Sequence, residues 1–121
     1  MEYKELSKEQ NEELIKAIPE GFLKVHPSKK FLTVIKPIAI TERLNSVFGR
    51  GGWSLKTEVI EKVDKMVVIK GTLVIEMHGI SIEQFGGNDN PDLGDAYKGA
   101  TTDALGKCAS YLGIGREIYS K

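Results

Sequence analysis

The stretch WSLKTEVIEKVDKMVVIKGTLVIEMHGISIEQF, residues 53–85, decides the fold. Trp53, Leu55, Thr57 and Val59 alternate with Ser54, Lys56 and Glu58. That period of two places successive side chains on opposite faces of a strand. Val63-Asp64-Lys65 predicts a turn. Met66 to Met77 is rich in Val and Ile and predicts a second strand, with Gly71 marking a bulge or a bend. His78-Gly79 predicts another turn, and Ile80 to Phe85 a third strand. Together they read as an antiparallel meander.

Helices flank the meander. Residues 86–94 (GGNDNPDLG) are built of turn formers and predict a loop, followed by a helix from about Asp95 to Leu112. Gly113 and Gly115 end that helix, and Arg116 to Lys121 form a short tail. On the other side, Ile40, Leu44, Val47 and Phe48 recur at helical spacing and predict a helix over 39–48, with Gly49 as its stop. A first helix starts at a Ser7/Gln10 capping box, carries Leu14, Ile15 and Ile18, and ends at Pro19 and Gly21. Residues 22–37 alternate apolar and basic between prolines and read as partly extended. The fold class is therefore α+β, a three-stranded antiparallel meander packed against a long C-terminal helix, with preceding helices. With 121 residues the chain suits one domain, 1–121, with an acidic N-terminal helix over 1–20 and a core over 33–119.

The last helix has an apolar stripe of Tyr97, Thr101, Ala104, Leu105, Cys108 and Leu112, expected to lie on the sheet. Gly99 and Gly106 share the opposite face. Glycine inside a helix costs roughly 1 kcal/mol against alanine, so two on one face point to close approach, by a DNA backbone or by a neighbouring subunit. The alternative is that two glycines are tolerated on a solvated face.

Net charge is zero, with 17 basic and 17 acidic residues, but it is unevenly spread. Residues 1–20 hold three Lys and six Glu, residues 21–70 ten basic and four acidic residues, and residues 71–121 four basic and seven acidic residues. A basic middle between acidic ends suits a local phosphate-binding surface. It also suits a solvated face that binds nothing. Arg43 stands off the apolar stripe of its helix, Arg50 sits in a glycine-rich turn, and Lys56, Lys62, Lys65 and Lys70 lie along the first two strands. Exposed strand lysines also discourage edge aggregation. Trp53 offers a surface for base stacking, although a Trp opening a strand is more often core.

Catalysis finds no support. His26 and His78 have no metal-ligand spacing to Cys108 or to a carboxylate pair, and no nucleophile motif is present. Asp89, Asp92 and Asp95 fail the calcium-loop pattern, with Pro91 at its third position and Ala100 at its last. No metal or cofactor is expected. A single cysteine excludes an internal disulfide and points to a reducing compartment. The polar N-terminus is not a signal peptide, and no apolar run reaches membrane-spanning length, so a soluble cytoplasmic protein with no membrane contact is expected.

Two segments carry a family resemblance. ITERLNSVFGRGGWS (residues 40–54) resembles the helix-to-first-strand segment of the Rad-fifty-two-type single-strand annealing proteins. DAYKGATTDALGKCASYLGIG (residues 95–115) resembles their later helix, and the LGIGREIY ending resembles phage and bacterial members. The resemblance implies a non-enzymatic single-stranded DNA-binding protein that anneals complementary strands in recombination and repair, without ATP, as a homo-oligomeric ring or filament. It implies a bacterial or phage-infected cell as the setting, and leaves a single-strand binding protein or an exonuclease open as a further partner. Phosphate contacts are expected from Arg43, Arg50, Lys56, Lys65, Lys98 and Lys107. Two departures stand out: Gly106 and Ser110 replace residues that are basic in larger relatives, and Arg50 replaces a tyrosine before the Gly-Trp. Two rival readings remain. A double-stranded RNA-binding-like module shares the element order but expects a basic start to the last helix, which here begins Asp95-Ala96-Tyr97. A protein–protein adaptor without nucleic-acid binding has the zero net charge in its favour.

Overall fold

The computed structural model describes residues 2–119. Helix α1 (Lys8–Ile15) opens on the expected capping box: the Ser7 hydroxyl accepts from the Gln10 backbone N–H and the Gln10 side chain accepts from that of Ser7. A 3₁₀ turn (Glu20–Phe22) leads into strands β1 (Leu23–Val25) and β2 (Thr33–Ile35), then helix α2 (Pro37–Phe48). Strands β3 (Ser54–Val63), β4 (Met66–Ile75) and β5 (Ile80–Asp89) follow, then helix α3 (Leu93–Ser110) and the short helix α4 (Arg116–Tyr119). Residues 120 and 121 of the expected tail lie outside the described residues.

The α+β expectation holds. β3, β4 and β5 form an antiparallel sheet in that order, and α3 packs along it. The alternation in β4 is complete: Val67, Ile69, Gly71, Leu73 and Ile75 are buried and the residues between them are not. The buried side faces α3 and the core built with Leu14, Ile40, Leu44 and Ile114. The other side is half-buried along β4 and largely exposed on β3 and β5.

Three expectations need correction. The loop expected over 86–94 begins late, because β5 runs on to Asp89 through Gly86 and Gly87. Gly86 belongs to the strand because α3 lies on it, whereas a Cβ on Gly87 would meet Met66 at 3.0 Å. A Cβ on Gly86 would sit 2.1 Å from the Ala100 carbonyl oxygen and 2.4 Å from the Ala104 nitrogen. Gly71 marks the same approach and not a bulge, since its Cβ would lie 2.9 Å from that of Ala104. The register shift falls instead between Val59 and Glu61. The buried line of α3 is Ala96, Ala100, Ala104 and Cys108, one residue round from Tyr97 and Thr101. Alanines are weak hydrophobic markers, so the larger residues beside them dominate the pattern read from sequence. Residues 22–37 are partly extended as expected, and they pair as a two-stranded hairpin with Leu23 opposite Ile35 and Val25 opposite Thr33.

Cys108 lies at the centre of the helix–sheet contact. Burial pushes its thiol up, the Glu83 carboxylate adds a little, and backbone groups of Leu73 and Gln84 oppose. A group whose folded value is raised stabilises the fold below its unfolded value and loses that contribution as pH rises past it. The urea midpoint should therefore fall above about pH 9, where a free thiol ionises, and a Cys108→Ser protein should lack that part of the fall. Gly86→Ala should cost about 3 kcal/mol in urea denaturation, the upper end for overpacking. A midpoint unchanged from wild type would contradict the close contact.

Candidate nucleic-acid interface

No acidic residue stands between Glu20 and Glu42, while Lys24, Lys29, Lys30 and Lys36 do. The fold turns this segment into the β1–β2 hairpin and lays it beside α3. His26 fixes the turn: its Nδ1 accepts from the backbone N–H of Ser28 (3.2 Å) and of Lys29 (3.0 Å). Between hairpin and helix runs an open groove of about 590 Å³. One wall carries Lys24, His26 and Val34; the other carries Gly99, Thr102 and Asp103, with Asn88 from β5 in the lining.

The groove is polar where the helix faces it, and on the hairpin side it carries one lysine, Lys24, among apolar residues such as Leu32, Val34 and Ile35. Its one carboxylate, Asp103, is already matched. Asp103 lies 3.2 Å from the Lys107 ammonium and accepts the Gly87 N–H at 3.1 Å. Lys24 and Lys98 are exposed, and neither makes an ion pair among the described residues. Lys98 is one helical turn before Thr102, which puts it at the groove's mouth. The buried Oδ1 of Asn88 has no hydrogen-bond partner. These features suit a phosphate–sugar chain: cations on the rims, donors and acceptors in the floor.

The six residues expected to contact phosphate do not form one patch. Arg43 has another role. It is 8% exposed, and its guanidinium donates to the carbonyls of Glu13 (2.9 Å), Leu14 (3.3 Å), Lys16 (2.8 Å) and Ala17 (3.4 Å). Helix α1 ends with Lys16 in an extended conformation and no glycine cap, so its last carbonyls need donors. Arg43 supplies them from α2, and Glu13 balances its charge at 3.9 Å. Arg50 and Lys65 are exposed at opposite ends of β3, about 30 Å apart by strand rise. Lys56 lies on the sheet's uncovered side. Lys107 is held by Asp103 and by the Phe85 carbonyl at 3.3 Å. Of the six, Lys98 lies at the groove's mouth and Lys107 reaches its wall through Asp103; the other four lie elsewhere.

The glycine face of α3 is corrected too. Gly99 is approached by this chain's own Asn88, whose side chain would lie 2.6 Å from an added Cβ. Gly106 is buried rather than solvent-facing. The face taken for free surface is the wall the hairpin and β5 lie along. Trp53 packs on the core and donates from Nε1 to Asn45 Oδ1 at 2.8 Å. Sequence reading missed Lys24 because it treated residues 22–37 as one irregular stretch; the acid-free run was the available signal.

Arg43→Ala should lower stability by about 3 kcal/mol, since several charge-assisted bonds are lost and the carbonyls stay buried. The salt dependence of any nucleic-acid binding should not change. A flattened salt dependence in that variant would restore Arg43 to the phosphate contacts.

The comparisons with known proteins bear on this surface. The whole chain, residues 1–121, matches the family model of Mgm101p, described as mitochondrial genome maintenance MGM101. The chain is 36% identical over 80 residues to the single-stranded DNA-binding protein DdrA of Deinococcus deserti, covering 66% of this chain and 37% of the relative. It is 33% identical over 81 residues to DdrA of Deinococcus radiodurans, covering 67% and 36%. The chain thus spans little more than a third of the length of the curated relatives it matches. These similarities support the annealing-protein resemblance read from residues 40–54 and 95–115.

Proposed function

Because the chain belongs to the Mgm101p family, we propose that it binds single-stranded DNA in recombination or repair and anneals complementary strands, without ATP and as a homo-oligomer. The observation that carries this reading is the groove between the β1–β2 hairpin and α3, with Lys24 in its lining and Lys98 at its mouth, neither ion-paired among the described residues. The DdrA relatives are named for binding single strands and not for a reaction, and no catalytic step is assigned to this chain. Their bacterial origin favours a cytoplasmic setting. Among the described residues, no helix is long and apolar enough to cross a membrane.

The mechanism follows from the groove's chemistry. Lys24 and Lys98 neutralise phosphates and release counterions, which gives affinity without reading sequence. The groove is open along its length, so bases can face outward for pairing with a second strand. His26 is the single aromatic ring among the groove's described lining residues, which fits backbone capture better than an extended stacking platform. Arg50, Lys56 and Lys65 lie outside the groove and serve, in this reading, only where a strand runs on across the surface.

Fluorescence anisotropy with oligothymidine across a salt series tests the assignment. Lys24→Ala/Lys98→Ala should weaken binding and flatten the logarithmic salt slope by about 1.4, at ~0.7 per single-strand phosphate contact. Arg50→Ala/Lys65→Ala should move it less. Wild-type protein should also accelerate annealing of complementary oligonucleotides without ATP or metal. Absence of single-strand binding at low salt would overturn the function and favour the adaptor reading.

A further inference from the structure

The uncovered side of the sheet is chemically unlike the groove. Val63 (58% exposed), Met66 (40%) and Phe85 (52%) stand on it, interleaved with Glu61, Glu83 and Asp89. The strand pairing puts them together: Val63 faces Met66, Met66 faces Asp89, and Phe85 faces Lys70. Lys70 adds no net positive charge, because Glu58 and Glu83 each lie 3.8 Å from its ammonium. At the β3–β4 end the side chains enclose a shallow depression of about 700 Å³, where Glu61, Asp64 and Asp89 outnumber the one cation, Lys65, beside Val63 and Met66. An acidic surface repels a phosphate backbone, and its apolar residues are too many for a solvated face. It needs a basic, apolar occupant.

This chain carries such an occupant. The tip of the β1–β2 hairpin presents Lys29, Lys30 and Phe31, and Phe31 is 84% exposed. The tip sits on the α3 side of the sheet, and the acidic face is on the other side. One copy therefore cannot join them within itself. Neither surface pairs with its own copy, since like charges would meet.

We propose that the hairpin tip of one copy docks on the uncovered sheet face of the next. Lys29 and Lys30 meet Glu61 and Asp89, and Phe31 enters the depression beside Val63 and Met66. The contact is heterologous, head to tail, so repeating it builds a ring if the rotation closes and a filament if it does not. The proposal deepens the homo-oligomer part of the proposed function and rests on that part alone. The edge of β5 offers no competing route at the same place, because Asp103 and Lys107 already take its Gly87 N–H and Phe85 carbonyl.

A charge swap tests it. Sedimentation velocity at about 50 mM salt, where surface charges are weakly screened, gives the mass of each protein. Wild type should form higher-order species. Lys29→Glu/Lys30→Glu makes both surfaces acidic, and Glu61→Lys/Asp89→Lys makes both basic, so each variant alone should be monomeric. Their equimolar mixture should recover the wild-type mass, because each then meets an opposite partner; a misfolded variant could not do this. A monomeric wild type, assembly of either variant alone to the wild-type mass, or a mixture that stays monomeric would each overturn the proposal. Anisotropy with a short oligothymidine on Glu61→Lys/Asp89→Lys keeps the two readings apart. Binding retained without assembly upholds both, and a working swap without DNA binding in wild type leaves this interface standing while the DNA function falls.

Discussion

Helix α3 meets its sheet with almost nothing between the two backbones. Gly71 and Gly86 in the strands face Ala100 and Ala104 in the helix, where a methyl added to Gly86 collides with main-chain atoms and one added to Gly71 with the Ala104 methyl. Small residues on both sides let the backbones approach, and interior packing tolerates no spare volume there. The rest of the architecture hangs on this contact. It buries Cys108, sets the roll of the helix, and decides which helix faces remain to line a groove. Because Ala100 and Ala104 point at the sheet, Gly99, Thr102 and Asp103 turn toward the hairpin.

A second constraint holds the N-terminal part. Helix α1 is short and ends without a glycine, so its terminal carbonyls would be orphaned in the interior. Arg43 satisfies them from α2, and Leu14 and Ile18 then close the core over Leu44. A charged residue taken for a ligand contact thus fastens two helices. Arginine suits this place because its fork of donors reaches several carbonyls at once and stays charged when buried.

The fold separates charge that the composition averages to zero. The hairpin and the mouth of the groove are basic; the uncovered sheet face is acidic and partly apolar. Salt bridges remove some exceptions: Lys70 is neutralised on the sheet face, which keeps Lys56, and Asp103 is neutralised on the groove wall. A molecule built this way offers phosphate one surface and a basic protein segment another.

The sequence by itself determined the elements and the class. Alternation in β3, the Val and Ile richness of β4, the Ser7/Gln10 capping box and the helical spacing around Leu44 are local signals, and each reports a local geometry. It also carried the family, because residues 40–54 and 95–115 are contiguous motifs. Tertiary structure alone decided the site. Whether Arg43 meets DNA or carbonyls depends on residues 26–30 positions away, and whether Gly86 ends a strand or receives a helix depends on Ala100. Lys24 and Lys98 are 74 positions apart and border one groove only because the hairpin lies beside α3. Periodicity and composition see neighbours along the chain; charge pairing and close approach are properties of neighbours in space.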